Sequence, residues 1–294
     1  MKTIKYLLLV LLLTSSAYAN LKNEYNFGIS IYKFDKVYQG KVKKVILKIV
    51  DEMSKTLDSK INISFIEDES KLLEDFANFE KMNVMIIYSS FYLENKEEIK
   101  KISINPFLFN NDNTKKTQYY LVANKTSKIK SVNDLRNKTF VSLSIDSNYS
   151  TWLDYLVRKN LNTSYEKIIK SEKTVSRNQK LLLNVYFNDV DFTAVSKIVY
   201  DDMVLLNPSI TKNLVIIEKS KPIFFFGLGV FHKKTPKKLI DIFQKAVDDG
   251  TFNKKFSELY KLINLYGIQK TSFEDLKPLD DFYSDYLKLK KVGK

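Results

Sequence analysis

The chain has 294 residues, no cysteine, one histidine and a formal net charge of +14. Without cysteine there can be no disulfide, thiolate metal site or cysteine nucleophile, and the single histidine, His232, leaves little material for a histidine-rich metal site or a Ser-His-Asp triad. The charge sits on lysines scattered among Asp and Glu, with arginine only at Arg136, Arg158 and Arg177; this is the pattern of a solvated surface, and no nucleic-acid partner is expected.

Lys2 and Lys5 precede an unbroken apolar run over residues 7–13, and Ala17-Tyr18-Ala19 supplies a small-x-small cleavage site. This predicts a secretory signal peptide over residues 1–19, cleaved after Ala19, with an uncleaved anchor as the alternative. The run falls far short of the ~20 apolar residues that span a bilayer. No cysteine follows it for lipid attachment, so the mature chain is expected to start at Asn20 as a soluble periplasmic protein. Its length fits one large domain or two lobes.

Strands and helices then alternate. A strand is predicted over 25–31, and a helix carries Val42, Val45, Ile46, Ile49 and Met53 at helical spacing. Ile61, Ile63 and Phe65 alternate as a strand, and a helix from about residue 70 buries Leu72, Leu73, Phe76 and Phe79. Residues 84–88 form a short, wholly apolar run of the kind buried on both faces of a parallel sheet. The middle of the chain repeats the theme: a strand over 119–123, a turn or short helix over 131–136, a strand over 140–143, then a helix carrying Trp152, Tyr155 and Leu156. Ser176 and Gln179 have capping-box spacing, and the helix they begin carries Leu181, Leu182 and Val185. A strand over 192–195 follows, with Ser196 as the cap of the next helix. A strand over 224–231 leads to Thr235-Pro236, a cap with proline at the first helical position, and to a helix that stops near Gly250. A final helix buries Phe256, Leu259, Tyr260 and Ile263 and ends at Gly267. Alternation of this kind gives α/β lobes. The absence of a linker suggests two chain crossings, near 119–124 and 220–230.

Several segments, in order, resemble the periplasmic substrate-binding proteins of ABC transporters, and more closely their phosphate/phosphite/phosphonate-binding group. Phe27-Gly28-Ile29-Ser30 is similar to that family's first strand, usually Gly-Ile-x-Pro. Asp134-Leu135-Arg136-Asn137-Lys138 is similar to the Asp-Leu-Lys-Gly-Lys that leads into its second lobe. Val190-Asp191-Phe192-Thr193-Ala194-Val195 is similar to its Val-Asp-Ala-Ala-Ala-Val strand. Asn207-Pro208-Ser209-Ile210 and Ser220-Lys221-Pro222-Ile223 resemble its return to the first lobe. Two motifs depart: Ser147-Asn148-Tyr149-Ser150 stands where the family often has Ser-Thr-Ser-Gly, and Ser176-Arg177-Asn178 where it often has Ser/Asn-His.

The resemblance implies an α/β, two-lobed, periplasmic binding protein type II-like fold with two chain crossings. Residues 26–121 and 222–294 would form the first lobe and 122–221 the second. It implies a monomer without a cofactor that captures a small anionic ligand, phosphonate- or phosphate-like, by cleft closure. The partner would be the membrane permease of an ABC transporter. The alternative is a membrane sensor kinase or cyclase, and an exported enzyme is a third reading. Against catalysis, the acid pairs Asp201-Asp202, Asp248-Asp249 and Asp280-Asp281 are sequence neighbours, which do not face one another on a helix. His232 reads as a surface or capping residue.

Helix starts supply the candidate anion site, because their first N–H groups are unpaired and the helix dipole is positive there. The turn Ser147, Asn148, Tyr149 and Ser150 is either such a site or a plain cap. Arg177 offers a planar fork at a helix start, where a cation is disfavoured unless an anion is also present. In the first lobe, Ser30 and Tyr32 end one strand, and Tyr88 and Ser89 end another. Asp191 reads first as structural or as a supporting partner of the site, and Trp152 as core.

Overall fold

The computed structural model describes residues 24–34, 36–110, 116–143, 147–262 and 265–292. The expected signal peptide and its cleavage site lie outside them. Among the described residues, no helix is long and apolar enough to cross a membrane.

Two sheets organise the chain. The first contains β1 (Glu24–Ser30), β2 (Lys60–Ile66), β3 (Val84–Tyr88), β4 (Ser103–Asn110), β10 (Gly227–His232) and β11 (Gly267–Lys270), in the order β11-β4-β10-β3-β1-β2. Its β1, β2 and β3 are parallel, while β10 runs antiparallel between β3 and β4. The second sheet has the order β7-β6-β8-β5-β9, from β5 (Tyr119–Asn124), β6 (Thr139–Leu143), β7 (Ser171–Val175), β8 (Phe192–Ser196) and β9 (Leu214–Lys219). Here β6, β7 and β8 are parallel and β5 is antiparallel to both its neighbours.

The helices follow from apolar faces that need a sheet to cover. In the first half, α1 (Lys36–Leu57) buries Val42, Val45, Ile49 and Met53, α2 (Leu72–Ala77) buries Leu72 and Phe76, and α3 (Ser89–Ile102) follows β3 directly. The second sheet carries α4 (Ser147–Leu161), α5 (Asn178–Tyr186), α6 (Lys197–Leu206) and the short α7 (Ser209–Asn213). The last third adds α8 (Lys237–Asp248), α9 (Thr251–Lys261) and α10 (Phe273–Val292). Leu239, Ile240, Phe243 and Val247 make the buried stripe of α8. Gly250, at φ +75°, makes the left-handed turn into α9 that a residue with a Cβ would resist.

Several sequence expectations shift. Arg177, not Ser176, is the residue before α5, and it makes no side-chain cap, so the Ser176–Gln179 box is not formed. Pro236 precedes α8 rather than opening it. Phe79 lies beyond the end of α2, where its ring packs on His232. Gly267 starts β11 instead of closing the last helix, and the twenty-residue α10 follows it. The boundary expected at residue 121 falls inside β5, which pairs entirely within the second sheet. α10, assigned from sequence to the first lobe, touches both lobes. Its Asp280 carboxylate receives Tyr92 Oη at 3.2 Å and pairs with Lys100 at 2.5 Å on α3, while its Tyr286 donates to Asp154 on α4 at 2.9 Å.

The chain crosses between the sheets twice, and the crossings lie side by side. Thr117 and Phe224 exchange backbone hydrogen bonds, and Tyr119 N–H donates to Ser220 Oγ at 2.8 Å. The Tyr119 ring packs on Tyr149 and Phe224, with centroids at 4.4 and 4.7 Å.

Candidate functional site

In open α/β sheets ligands collect beyond the carboxyl ends of the parallel strands, where helices begin. In the first sheet those ends are Ser30 and Tyr88, and α3 starts immediately after Tyr88. In the second they lead toward the starts of α4, α5 and α6. The first turns of α3 and α4 meet. Ser89 Oγ donates to Asn148 Oδ1 at 3.0 Å, and Asn148 Nδ2 donates to the Phe225 carbonyl at 3.0 Å. Both side chains are buried, so Ser89 and Asn148 join the lobes instead of lining open space.

Beside that junction is a polar group on the first sheet. Lys33 donates to Ser90 Oγ at 2.7 Å, and its ammonium stands 5.1 Å from the Tyr88 ring centroid and 5.7 Å from that of Tyr32. Cations are held in this way by the negative faces of aromatic rings. Ser30 donates to Glu69 Oε1 at 2.5 Å. Burial pushes the Glu69 carboxyl above its usual range, opposed by the Ser30 bond and the Lys33 charge. Tyr32 is 40% exposed, and its hydroxyl is raised by desolvation first and by Glu69 second. Tyr88 is buried, edge-on to Tyr32 and Phe226, and its hydroxyl has no hydrogen-bond partner. Ser30, Tyr32, Tyr88 and Ser89 are thus brought together. Sequence reasoning missed Lys33, Glu69 and Ser90. Ser90 was within reach, since it neighbours Ser89 at the same helix start; nothing in the sequence sets Lys33 apart from the other lysines, or Glu69 from its acidic neighbours.

The second sheet scatters its candidates. Tyr149 is core, packed on Tyr119. Ser150 is half-buried and hydrogen-bonded to Tyr165. Ser147 opens α4, but its side chain is outside the described set. Arg177 is exposed at the start of α5. Asp191 binds the backbone N–H and hydroxyl of Thr139, both at 2.8 Å, which ties the amino-terminal ends of β6 and β8 together. That is the end of the sheet opposite the helix starts, so Asp191 leaves the candidate set for the structural role read first. Trp152 is core.

His232 is buried, not superficial. Its ring packs on Phe76 and Phe79, and Nδ1 accepts the Lys234 N–H at 3.1 Å. Among the described residues no cluster of His, Asp and Glu is placed to hold a metal ion.

The family model described as "ABC transporter, phosphonate, periplasmic substrate-binding protein" matches residues 37–276. Among solved structures, the chain is similar to a binding-protein component of an ABC phosphonate transporter from Pseudomonas aeruginosa, at 18% identity and TM-score 0.59, over 93% of this chain and 89% of that one. It is similar to PhnD1 from Prochlorococcus marinus in complex with methylphosphonate, at 16% identity and TM-score 0.58, over 92% and 100% of the two chains. A Xanthomonas citri protein bound to ATP matches at 12% identity and TM-score 0.63, over 92% and 100%. At such identities the likeness establishes the fold, that of a two-lobed periplasmic binding protein. No curated protein matches the sequence significantly.

Proposed function

The chain belongs to the family of periplasmic substrate-binding proteins of phosphonate ABC transporters, and on that premise we propose that it captures a small phosphonate between its lobes and presents it to a membrane permease. The family is one of transport proteins that bind substrate, not of enzymes. Lys33 and Ser90 form the first-lobe half of the anion site, and Arg177 with the starts of α4 and α5 forms the second. The observation that carries this reading is the meeting of α3 and α4 at Ser89 and Asn148, with the Lys33 ammonium held beside it on Ser90. Backbone N–H groups at helix starts and two cations from opposite lobes can share one anionic group, and only a closed form brings both to it. Domain division follows the sheets: strands β5 to β9 in the second lobe, the other strands in the first.

Titration calorimetry with methylphosphonate tests this. Binding is expected in the wild type, without turnover. Arg177→Ala and Lys33→Ala should each weaken it by ~1.5–3 kcal/mol, the scale of a charge-assisted hydrogen bond. Unchanged affinity in both variants would put the anion elsewhere.

A further inference from the structure

Under the carboxyl ends of β1 and β3 the first lobe holds an apolar cavity of about 110 Å³. Its floor is the sheet face carrying Phe27, Ile29 and Phe107, and its roof is α1 with Val42, Ile49 and Met53. Gly229 lets the Phe107 ring lie flat on β10, since a Cβ there would run into that ring. Among the described residues no charged side chain lines the cavity. The end nearest the second lobe is walled by Ser30, Phe34, Tyr88 and Phe226. Ser30 and Tyr88 end β1 and β3, Phe34 lies in the turn after β1, and Phe226 directly precedes β10, where the chain returns from the second sheet. Phe34 and Phe226 are only half-buried. The Lys33 ammonium stands over the Tyr88 ring at 5.1 Å and binds Ser90 at 2.7 Å. Tyr88 therefore belongs both to the wall of the cavity and to the cradle of the cation.

We infer that the site takes a phosphonate bearing a compact apolar substituent the size of a phenyl ring, with its anionic head at Lys33 and the start of α3 and its ring in this cavity. The inference rests on the proposed phosphonate-binding role and names the substrate class for it. A dry apolar cavity of roughly 150 Å³ binds benzene, so one of about 110 Å³ admits at most a single ring and excludes fused or long-chain groups. Inorganic phosphate offers the cavity nothing, and methylphosphonate offers it one methyl group. A phenyl group supplies apolar surface in proportion to its area, and the lining gains the packing partners it lacks. A charged substituent would have to shed water against walls whose polar side-chain groups, among the described residues, are only the Ser30, Tyr88 and Tyr260 hydroxyls.

Calorimetric titration of the purified protein with inorganic phosphate, methylphosphonate and phenylphosphonate decides this. Phenylphosphonate is expected to bind at least tenfold tighter than methylphosphonate. Val42→Phe puts a ring into the cavity from α1, so the phenyl advantage over methylphosphonate should fall below twofold. Should Val42→Phe fail to fold, the smaller Val50→Leu, from the same wall, should reduce the advantage in part. Equal or weaker binding of phenylphosphonate in the wild type overturns the inference and leaves the phosphonate role standing. So does an advantage that survives the filling variants. Binding of neither phosphonate overturns the role itself and this inference with it.

Discussion

The Asn148 side chain is the contact whose removal tests the two-lobe arrangement most directly. It accepts from Ser89 Oγ and donates to the Phe225 carbonyl, each at 3.0 Å, and both Asn148 and Ser89 are buried. Asn148→Ala deletes both bonds and leaves a buried hydroxyl and a buried carbonyl without that partner. Orphaned neutral groups cost ~1–3 kcal/mol each, so a total of ~2–6 kcal/mol is expected. In a protein of this size that lowers Tm by roughly 4–24 °C. Ser89→Ala removes one bond and should cost ~1–2 kcal/mol. The double variant is expected to be less destabilised than the sum, with a coupling of ~0.5–1.5 kcal/mol, because the shared bond is lost only once. Denaturant titration of the wild type, both single variants and the double variant supplies the cycle. Additivity within ~0.3 kcal/mol, or an Asn148→Ala Tm equal to wild type, would show that α3 and α4 do not meet as described.

Two further outcomes can be measured on the same protein. Burial, helped by Lys234 and Lys233, holds the His232 pKa below its ordinary 6.5; the unfolded chain therefore binds the proton first, so this contribution to stability is complete above pH 6.5 and is lost as pH falls below it. Because the chain has one histidine, a single imidazole NMR titration reads the depressed value, and His232→Gln should flatten the acid limb of the stability profile. The Tyr260 hydroxyl is buried with no hydrogen-bond partner, so Tyr260→Phe should leave Tm unchanged or raise it by ~1 kcal/mol equivalent, and a fall of several degrees in a thermal melt would show that the hydroxyl is paired.

The α/β alternation was legible because β3 is apolar through its length, β8 is buried throughout, and α1 and α8 carry clean stripes. What escaped has physical reasons. β7 is an edge strand exposed at four of its five residues, so it has no apolar alternation to read. β4 contains Pro106 and, at Asn105, a positive φ of 48°; proline in a run argues against a strand, and β10 absorbs the irregularity with a register shift opposite. α10 carries Pro278, which as a sequence signal breaks a helix. At the site, helix starts were legible from their Ser and Asn content. Which of those side chains turn inward depends on contacts distant in sequence. Asn148 and Tyr149 face Phe225 and Tyr119, partners tens of residues away whose pairing no local pattern encodes.

The placement of α10 bears on how such lobes can move. The paired crossings at Thr117 and Phe224 are joined by an antiparallel bridge of two backbone hydrogen bonds. α10 then spans the same junction. Asp280 is fixed on the first lobe by Tyr92 and Lys100. On the second, Tyr286 reaches Asp154, which also binds Arg158 at 2.6 Å and the Tyr165 N–H at 2.9 Å, so its anchor is itself held in place. Phe282 packs on Tyr155 of the second lobe and on Phe224 of the crossing, closing the contact between the two anchors. Sliding one lobe past the other would break both anchors, and the Ser89–Asn148 contact lies apart from them, at the starts of α3 and α4. Lys33, bound to Ser90 in the first turn of α3, stands next to that contact, so an anion held there would act on it directly.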